Sequence, residues 1–269
     1  MFDATVAGRP AVVKVDAVRG RSAGEAVALR AAQAHGIPVP EVHLHLDGEP
    51  SVLVLGKIDG CPLAAEHPAS AWREAGLVMR RIHGLPLDRE SLNGAGSSAA
   101  ANSDAAPPQR TLREGMLDWT ESEMLRSRQT RVLSGADRRM LRDYLTPIWE
   151  NLPEVPRCLV HGDAQADHIL VNADGHIAGV LDFGDVHVGD PVYDLAVLTI
   201  DHPGRLPAVL AGYRPARAVR ARVETFIGPY QVLRRVAAAN WMCGNGLDPV
   251  RHLVALRRGV LAEPRVIRL

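Results

Sequence analysis

The chain contains 269 residues, 46% of them hydrophobic and 23% charged, which suffices for one large domain or two lobes around a hydrophobic core. Its 31 basic residues balance its 31 acidic ones, so net charge gives it no attraction to nucleic acid or to a membrane surface. No apolar run approaches the about 18 residues of a membrane-spanning helix. Asp3 and Lys14 interrupt any early hydrophobic leader, and Cys61, Cys158 and Cys243 show no C-x-x-C spacing, so a cytoplasmic protein with reduced thiols is expected.

The N-terminal part predicts two β-hairpins separated by a helix. Apolar and polar residues alternate in short runs, and Gly or Pro occurs at the turns between these runs. A helix fits the segment that starts near Ser22 and ends at His35-Gly36, where a glycine terminates the pattern. The predicted strands are Phe2 to Val6, Ala11 to Val15, Val42 to Leu46 and Ser51 to Leu55.

Further along the chain, apolar residues recur at helical spacing. One helix is predicted from Ala69 to Leu85, and two amphipathic helices are predicted between Thr111 and Asn151. Residues 91–110 are rich in Gly, Ser, Ala and Pro and cannot bury enough surface to order themselves, so a flexible insertion is expected that tethers the flanking elements or covers a substrate. The C-terminal stretch, 201–269, is predicted to be helical and carries 12 Arg against four acidic residues.

The stretch between Cys158 and Leu198 carries the strongest functional signal. Two apolar runs of strand length, 158–160 and 177–181, each deliver an aspartate at their downstream end, Asp163 and Asp182. A third run, 169–171, lies between them and is followed by a tight turn, so the stretch predicts a short β-meander with polar residues at its rims. The two carboxylates are therefore expected to converge on one place.

This pattern suits phosphoryl transfer. The reaction needs a carboxylate that orients the attacking hydroxyl and accepts its proton, and further ligands that hold Mg²⁺ on the nucleotide phosphates. Asp163 can serve the first purpose. His168, five residues later on the same loop, and Asp182, after the next strand, can serve the second.

At these residues the sequence resembles the aminoglycoside phosphotransferase family of antibiotic kinases, which has a protein-kinase-like fold. The resemblance rests on His161-Gly162-Asp163, on Asp182-Phe183-Gly184, and on the downstream Gly189-Asp190-Pro191 and Asp194-Leu195-Ala196. One position departs from the family pattern, because His168 stands where the family usually has Asn. With this histidine the loop is most similar to those of the aminoglycoside 2″-phosphotransferases and the macrolide phosphotransferases.

The resemblance implies an α+β, bilobal fold. Residues 1–56 would form a small β-rich N-lobe that binds nucleotide, and residues 57–269 a larger, mostly helical C-lobe with the catalytic loop, metal site and acceptor pocket, interrupted by the insertion at 91–110. The family has a Gly-rich hairpin before the strand that carries the nucleotide-binding lysine. This chain begins too late to contain both strands of that hairpin, so a truncated start or another cover for the phosphates is expected.

The resemblance also implies roles for individual residues. Only two of the 31 cationic residues are lysines, so a compact ammonium on an apolar strand stands out at Lys14. By resemblance it would touch the α- and β-phosphates of ATP or GTP and pair with Glu25. The family's hinge, which meets the nucleotide base, corresponds to Leu55, Lys57 and Ile58. The family further implies Asp163 as catalytic base and His168 and Asp182 as Mg²⁺ ligands, with His161 and Asp194 supporting the loop. His83 is expected to be structural.

The chemical class of the acceptor is predicted from the net charge of residues 201–269. The family implies an antibiotic hydroxyl as acceptor, bound partly by the C-terminal helices, and the excess of eight positive charges in 201–269 fits a polycationic aminoglycoside poorly unless these arginines face solvent. A nucleoside-type, macrolide or other weakly charged antibiotic, stacked on aromatic residues such as Trp119, Tyr230 or Trp241, is therefore predicted. A metabolic kinase for choline, homoserine or a sugar, and a non-catalytic kinase-like binding protein, are the alternatives; a monomer or homodimer is expected.

Overall fold

The computed structural model describes residues 1–17, 22–86 and 111–261, so the insertion predicted at 91–110 lies outside the described residues. The described strands are β1 Phe2–Val6, β2 Arg9–Asp16, β3 Val42–Leu46, β4 Ser51–Gly56, β5 Cys61–Pro62, β6 Cys158–Val160, β7 Ile169–Val171, β8 Ile177–Val180 and β9 His187–Gly189. The described helices are α1 Ala23–Ala34, α2 Ala69–His83, α3 Leu112–Thr130, α4 Gly135–Glu150, α5 Pro191–Thr199, α6 Leu206–Tyr213, α7 Arg217–Gly244 and α8 Val250–Arg258. Single 3₁₀ turns occur at Ala166–His168, Phe183–Asp185 and Pro203–Arg205.

The N-terminal strands form a four-stranded antiparallel sheet in the order β1-β2-β4-β3. Both predicted hairpins are present. The first turns tightly at Ala7 and Gly8, whose φ angles of 49° and 79° are the positive values that a two-residue hairpin turn requires. Lys14 lies on β2 opposite Leu53 of β4, one residue beyond the last pair between β1 and β2, Phe2 and Val13. The pairing with β4 fixes the backbone position from which its side chain extends.

The strands between Cys158 and Leu198 pair differently from the predicted meander. β7 and β8 form a hairpin, and β5 adds to β7, which gives a three-stranded sheet. β6 does not join them, because it pairs with β9, with Val160 opposite His187. The loop between β6 and β7 contains the 3₁₀ turn Ala166–His168 and redirects the chain. Both predicted aspartates nevertheless follow strand ends.

Helices α2 and α6 cross at two glycines. A Cβ atom at Gly76 would lie 2.0 Å from the Val209 carbonyl oxygen, and one at Gly212 would lie 1.7 Å from the Arg73 carbonyl oxygen. Side chains at either position would therefore force the two backbones apart. This close packing lets the Tyr213 side chain, at the end of α6, reach the last turn of α2, where its hydroxyl oxygen lies 2.8 Å from His83 Nδ1.

The chain divides into two compact units. The first comprises Met1–Pro107 with Pro156–Val223, and the second comprises Pro108–Val155 with Glu224–Leu269. The predicted division into lobes at residue 56 stays a prediction. Among the described residues, no helix combines the length and apolar character needed to cross a membrane.

The second unit is built from α3, α4, the C-terminal part of α7, and α8. Capping boxes begin α3 and α4, where Thr111 and Ser134 accept hydrogen bonds from backbone N–H groups of the first helical turn. The core of the unit includes Met124, Leu133, Leu141, Val236 and Leu256.

One aromatic residue proposed for the acceptor is not available to a ligand. Tyr230 is buried, and its ring lies 5.1 Å from that of Trp149, so it belongs to the core of the second unit. The sequence pattern could not distinguish this core position from an exposed one on the same helix. Trp241, in contrast, is 62% exposed.

Candidate active site

The loop after β6 carries Asp163 and is held in a conformation that only glycine tolerates at one position. Gly162 has a φ angle of 84°, and a Cβ atom there would lie 2.1 Å from the Asp185 carbonyl oxygen. The Asp163 loop therefore touches the Asp182-Phe183-Gly184-Asp185 segment, backbone to backbone. This contact brings together two motifs that are about twenty residues apart in the sequence.

Asp194, on the first turn of α5, holds the backbone of this loop through hydrogen bonds. Its Oδ2 accepts a hydrogen bond from the His161 backbone N–H at 2.7 Å, and its Oδ1 accepts one from the Gly162 N–H at 3.0 Å. The His83 ring donates a third hydrogen bond, with Nε2 2.9 Å from Oδ2. Burial alone would raise the pKa of Asp194, but the hydrogen bond and charge of His83, together with the nearby His161, lower it below its usual value. The carboxylate is therefore fully ionised and satisfied in the core.

The buried ring of His161 connects the loop to the end of β8 through two hydrogen bonds. Its Nδ1 accepts a hydrogen bond from the Asp163 backbone N–H at 3.2 Å, so the proton lies on Nε2, which donates to the Leu181 carbonyl oxygen at 2.9 Å. Burial lowers the pKa of this ring in spite of the negative charge of Asp194. The neutral imidazole thus ties the residue before Asp182 to the residue that carries the predicted base.

His168 lies between the two predicted carboxylates. Its Nδ1 is 2.8 Å from the Asp163 carbonyl oxygen and 3.7 Å from Asp163 Oδ2. Since a carbonyl only accepts, Nδ1 carries the proton in the neutral ring, and the lone pair lies on Nε2. That Nε2 atom is 4.0 Å from Asp182 Oδ2. The structure therefore brings Asp163, His168 and Asp182 together, as the sequence predicted.

Asp182 adopts a backbone conformation that is rare for residues other than glycine. Its φ and ψ angles are both 63°, in the left-handed region. The Lys14 ammonium donates to Asp182 Oδ1 at 2.8 Å and to Glu25 Oε1 at 2.7 Å. The predicted Lys14 to Glu25 contact is thus present, and Lys14 bridges helix α1 to the segment that follows β8.

The charges of Lys14, Glu25 and Asp182 influence one another's pKa. Burial would lower the pKa of Lys14, but the charges of Glu25 and Asp182 and the hydrogen bonds to them raise it above its usual value. Burial would raise the pKa of Asp182, whereas Lys14 lowers it. Burial raises the pKa of Glu25, and the charge of Lys14 offsets only part of this effect. Lys14 therefore stays cationic over the whole physiological pH range.

The donor set at His168 and Asp182 fits a divalent cation. Neighbouring ligands of an octahedral Mg²⁺ ion lie about 3 Å apart and opposite ligands about 4.2 Å apart, whereas Nε2 and Oδ2 are 4.0 Å apart, so the two side chains would have to shift slightly to bind one ion. No group of three His, Cys, Asp or Glu side chains in the described parts of the chain is arranged to hold a metal. Mg²⁺ commonly binds through one or two protein ligands and completes its shell with water and phosphate oxygens.

The predicted hinge residues have different surroundings. Leu55 is buried on β4. The Lys57 ammonium binds Asp3 at 2.9 Å, and its backbone N–H donates to the Pro10 carbonyl oxygen at 3.0 Å, so that N–H is already used within the sheet. The Ile58 side chain packs against β8, where a Cβ atom at Gly179 would lie 2.3 Å from Ile58 Cδ1.

Two residues in the site had no predicted role there. Gln165 donates from its amide to both carboxylate oxygens of Asp163, at 3.0 and 3.2 Å. His83, expected only to be structural, binds Asp194. Its position in the last turn of α2 was visible in the sequence, but its partner lies 111 residues away. A lone amide such as Gln165 gives no comparable signal.

Comparisons with known proteins agree with this geometry. The profile of the phosphotransferase enzyme family matches residues 2–226. The viomycin phosphotransferase of Streptomyces vinaceus is 28% identical over 159 residues, which cover 56% of this chain and only 50% of that protein. This chain thus matches half the length of that relative.

Solved structures show the same fold at low sequence identity. A thermostable mutant of aminoglycoside phosphotransferase APH(4)-Ia, in ternary complex with AMP-PNP and hygromycin B, is 17% identical with a TM-score of 0.61, covering 97% of this chain and 88% of that chain. The macrolide 2′-phosphotransferase of Brachybacterium faecium, as apoenzyme, is 19% identical with a TM-score of 0.61, covering 96% of this chain and 86% of that chain. The fold is therefore the kinase-like one of these antibiotic phosphotransferases. Because the family profile spans 2–226 and so includes the whole cluster from Lys14 to Asp194, this chain belongs to the phosphotransferase enzyme family.

Proposed function

We propose that this protein transfers the γ-phosphate of ATP, bound with Mg²⁺, to a hydroxyl group of an antibiotic. The observation that carries the proposal is the convergence of Lys14, Asp182, His168 and Asp163 in one cluster, with the contacts described above. A cation for phosphates, a pair of metal ligands and a carboxylate for the acceptor are the parts that phosphoryl transfer needs. The AMP-PNP complex of the APH(4)-Ia neighbour supports an adenine nucleotide as donor.

The base in this proposal is Asp163. Its carboxylate is partly exposed, and the Gln165 amide donates a hydrogen bond to each of its two oxygens. Asp163 accepts the proton of the acceptor hydroxyl as that oxygen bonds to the γ-phosphorus and the bond to the β-phosphate oxygen breaks, releasing ADP. The Asp194 anchor keeps the backbone of this loop fixed during the step.

Lys14, His168 and Asp182 bind the donor in this proposal. Lys14 donates to the α- and β-phosphate oxygens, and Glu25 keeps its ammonium in place. His168 Nε2 and Asp182 Oδ2 would hold Mg²⁺, which would neutralise phosphate charge. The neutral His168 ring is fixed in the required tautomer by the Asp163 carbonyl oxygen.

For the acceptor we propose a nucleoside-type, macrolide or other weakly charged antibiotic. Electrostatic complementarity disfavours a polycationic aminoglycoside at the arginine-rich C-terminal helices. Arg214, Arg217 and Arg220 are exposed to solvent and therefore do not carry this charge argument, and Arg222 is buried and pairs with Asp190. Trp119 and the exposed Trp241 remain the aromatic candidates for stacking.

An ADP-release assay with a panel of antibiotics tests the function. The full chain is given ATP and Mg²⁺ with a kanamycin-type, a macrolide, a nucleoside-type antibiotic or viomycin; product mass detects the added phosphoryl group, and NMR identifies the modified hydroxyl. Asp163→Asn should lower turnover at least about a hundredfold, as expected for loss of a general base. Asp167→Asn removes an exposed carboxylate from the same loop and should change little. Equal turnover of Asp163→Asn and wild type would refute the assignment of Asp163 as the base. Preferential turnover of the kanamycin-type antibiotic would refute the proposed class of acceptor.

A further inference from the structure

The second unit contains a groove that no part of the proposed reaction uses. It has a volume of about 630 Å³ and lies between α3 and α4. Its lining combines an apolar patch with a dense set of guanidinium groups: Glu121, Met124, Leu125, Arg128, Arg138, Arg139 and Arg142, with Ser122 and Gly135. The arginines recur at helical spacing, so one face of α4 and the facing side of α3 present them to the same space.

The charges in the groove are unbalanced. Four arginines face a single carboxylate, that of Glu121. Arg142 Nε already donates to both oxygens of Glu121, at 2.7 and 3.0 Å, so this carboxylate neutralises one guanidinium group and little else. Like charges gathered in a concavity repel one another and raise the local concentration of anions. The groove thus has an excess of positive charge that a bound anion would relieve.

Two of the arginines have no hydrogen-bond or ion-pair partner among the residues that the structure describes. Arg138 is held by the Leu133 carbonyl oxygen at 2.6 Å. Arg128 and Arg139 are exposed, and within residues 1–17, 22–86 and 111–261 neither has an ion-pair or hydrogen-bond partner. Each planar guanidinium group presents paired N–H donors that match two oxygens of one phosphate group. Arg128 on α3 and Arg139 on α4 can therefore take phosphate groups from opposite sides of the groove.

We propose that this groove binds a small molecule that carries two or more phosphate groups. Arg128 and Arg139 donate to separate phosphates, and Arg138 contributes further positive charge beside them. The lining residues belong to the second unit, whereas the Lys14, Asp163 and Asp182 cluster belongs to the first, so this site is separate from the proposed donor site. The proposal stands whether or not the acceptor of the transfer reaction is the one proposed above.

Calorimetric titration with tripolyphosphate tests the proposal, using the full chain at low ionic strength. Arg128→Gln with Arg139→Gln should weaken binding at least about tenfold, because two charge-assisted contacts are lost. Arg113→Gln with Arg131→Gln removes the same charge from exposed positions of the same unit outside the groove and should weaken binding less than about twofold. Glu121→Gln should tighten binding, since it frees Arg142 and removes the opposing carboxylate. Circular dichroism checks that each variant is folded.

The Lys14→Met variant distinguishes binding of tripolyphosphate at the groove from binding at the proposed donor site. Tripolyphosphate binding at the groove should survive this substitution, with one binding event retained. If Lys14→Met abolishes binding, tripolyphosphate occupies the donor site and the groove proposal fails. Equal losses in the groove variant and in its charge-matched control would show a diffuse electrostatic effect and would equally overturn the proposal. None of these outcomes depends on phosphotransferase activity.

Discussion

His83 and Asp194 are 111 positions apart in the sequence, yet His83 Nε2 lies 2.9 Å from Asp194 Oδ2 in the buried centre of the first unit. The other ring nitrogen of His83, Nδ1, is 2.8 Å from the Tyr213 hydroxyl group. Asp194 in turn holds the two backbone N–H groups that precede Asp163. The end of α2 thus determines the position of the catalytic loop through a single carboxylate.

Removal of the His83 ring should therefore act on turnover rather than on nucleotide binding. His83→Phe leaves the Asp194 carboxylate buried with one donor fewer, which should lower the free energy of unfolding by about 1–3 kcal/mol. We expect kcat to fall about tenfold, since the loop that carries Asp163 loses part of its anchor, with little change in KM for ATP. Steady-state kinetics and urea unfolding measure the two effects. His83→Asn, which can still donate, should lose less, and a purely structural role would leave kcat of the folded variant unchanged.

Substitutions at Gly179 and Ile58 test whether the predicted hinge contacts the nucleotide base. Gly179→Ala would place a methyl group 2.3 Å from Ile58 Cδ1, so the Ile58 side chain must move. If Ile58 meets the nucleotide base, as the family resemblance implies, KM for ATP should rise while KM for the acceptor stays the same. Ile58→Val removes Cδ1 and leaves the next atom, Cγ2, at 3.3 Å, so the double variant should recover much of the lost affinity. A double variant as weak as Gly179→Ala would contradict this reading.

Much of the site could be predicted because its residues are unusual for their local context. Lys14 stood out as a compact cation on an apolar strand in a chain that otherwise uses Arg, and Asp163 and Asp182 follow strand-length runs. The two hairpins and the helices of the described residues also follow from period-two and helical patterns. These signals are local, so one sequence suffices to detect them.

The remaining features depend on contacts between distant parts of the chain. Three-residue strands such as β6 and β9 contain too few side chains to specify a partner, so their pairing was not predictable. The partner of His83 depends on the close crossing of α2 and α6 at Gly76 and Gly212. The burial of Tyr230 likewise depends on packing against Trp149. Periodicity alone does not identify which helix faces another.

His168 should be replaceable by the residue more usual in the family. In His168→Asn the amide N–H₂ can still donate to the Asp163 carbonyl oxygen, and the amide oxygen can take the place of Nε2. Activity with Mg²⁺ should therefore remain substantial. Because Mn²⁺ accepts a nitrogen ligand more readily than Mg²⁺ does, whereas an amide oxygen suits both ions, the ratio of Mn²⁺-supported to Mg²⁺-supported turnover should fall. An unchanged metal ratio in an active His168→Asn enzyme would show that the ring is not a ligand.

The stability of the protein should decrease in two separate steps as the pH falls. Burial lowers the pKa of His161, so below about pH 6.5 the unfolded chain takes up a proton that the native state does not, and the native state loses stability. His83 lowers the pKa of Asp194 despite its burial, so the stability from this carboxylate is present above about pH 4 and is lost as the pH falls further. Urea unfolding between pH 8 and pH 3 measures both steps. His161→Gln should flatten the step below pH 6.5 and keep the lower one, whereas His176→Gln, at an exposed position, should keep both. A profile with an unchanged upper step in His161→Gln would mean that other groups cause it.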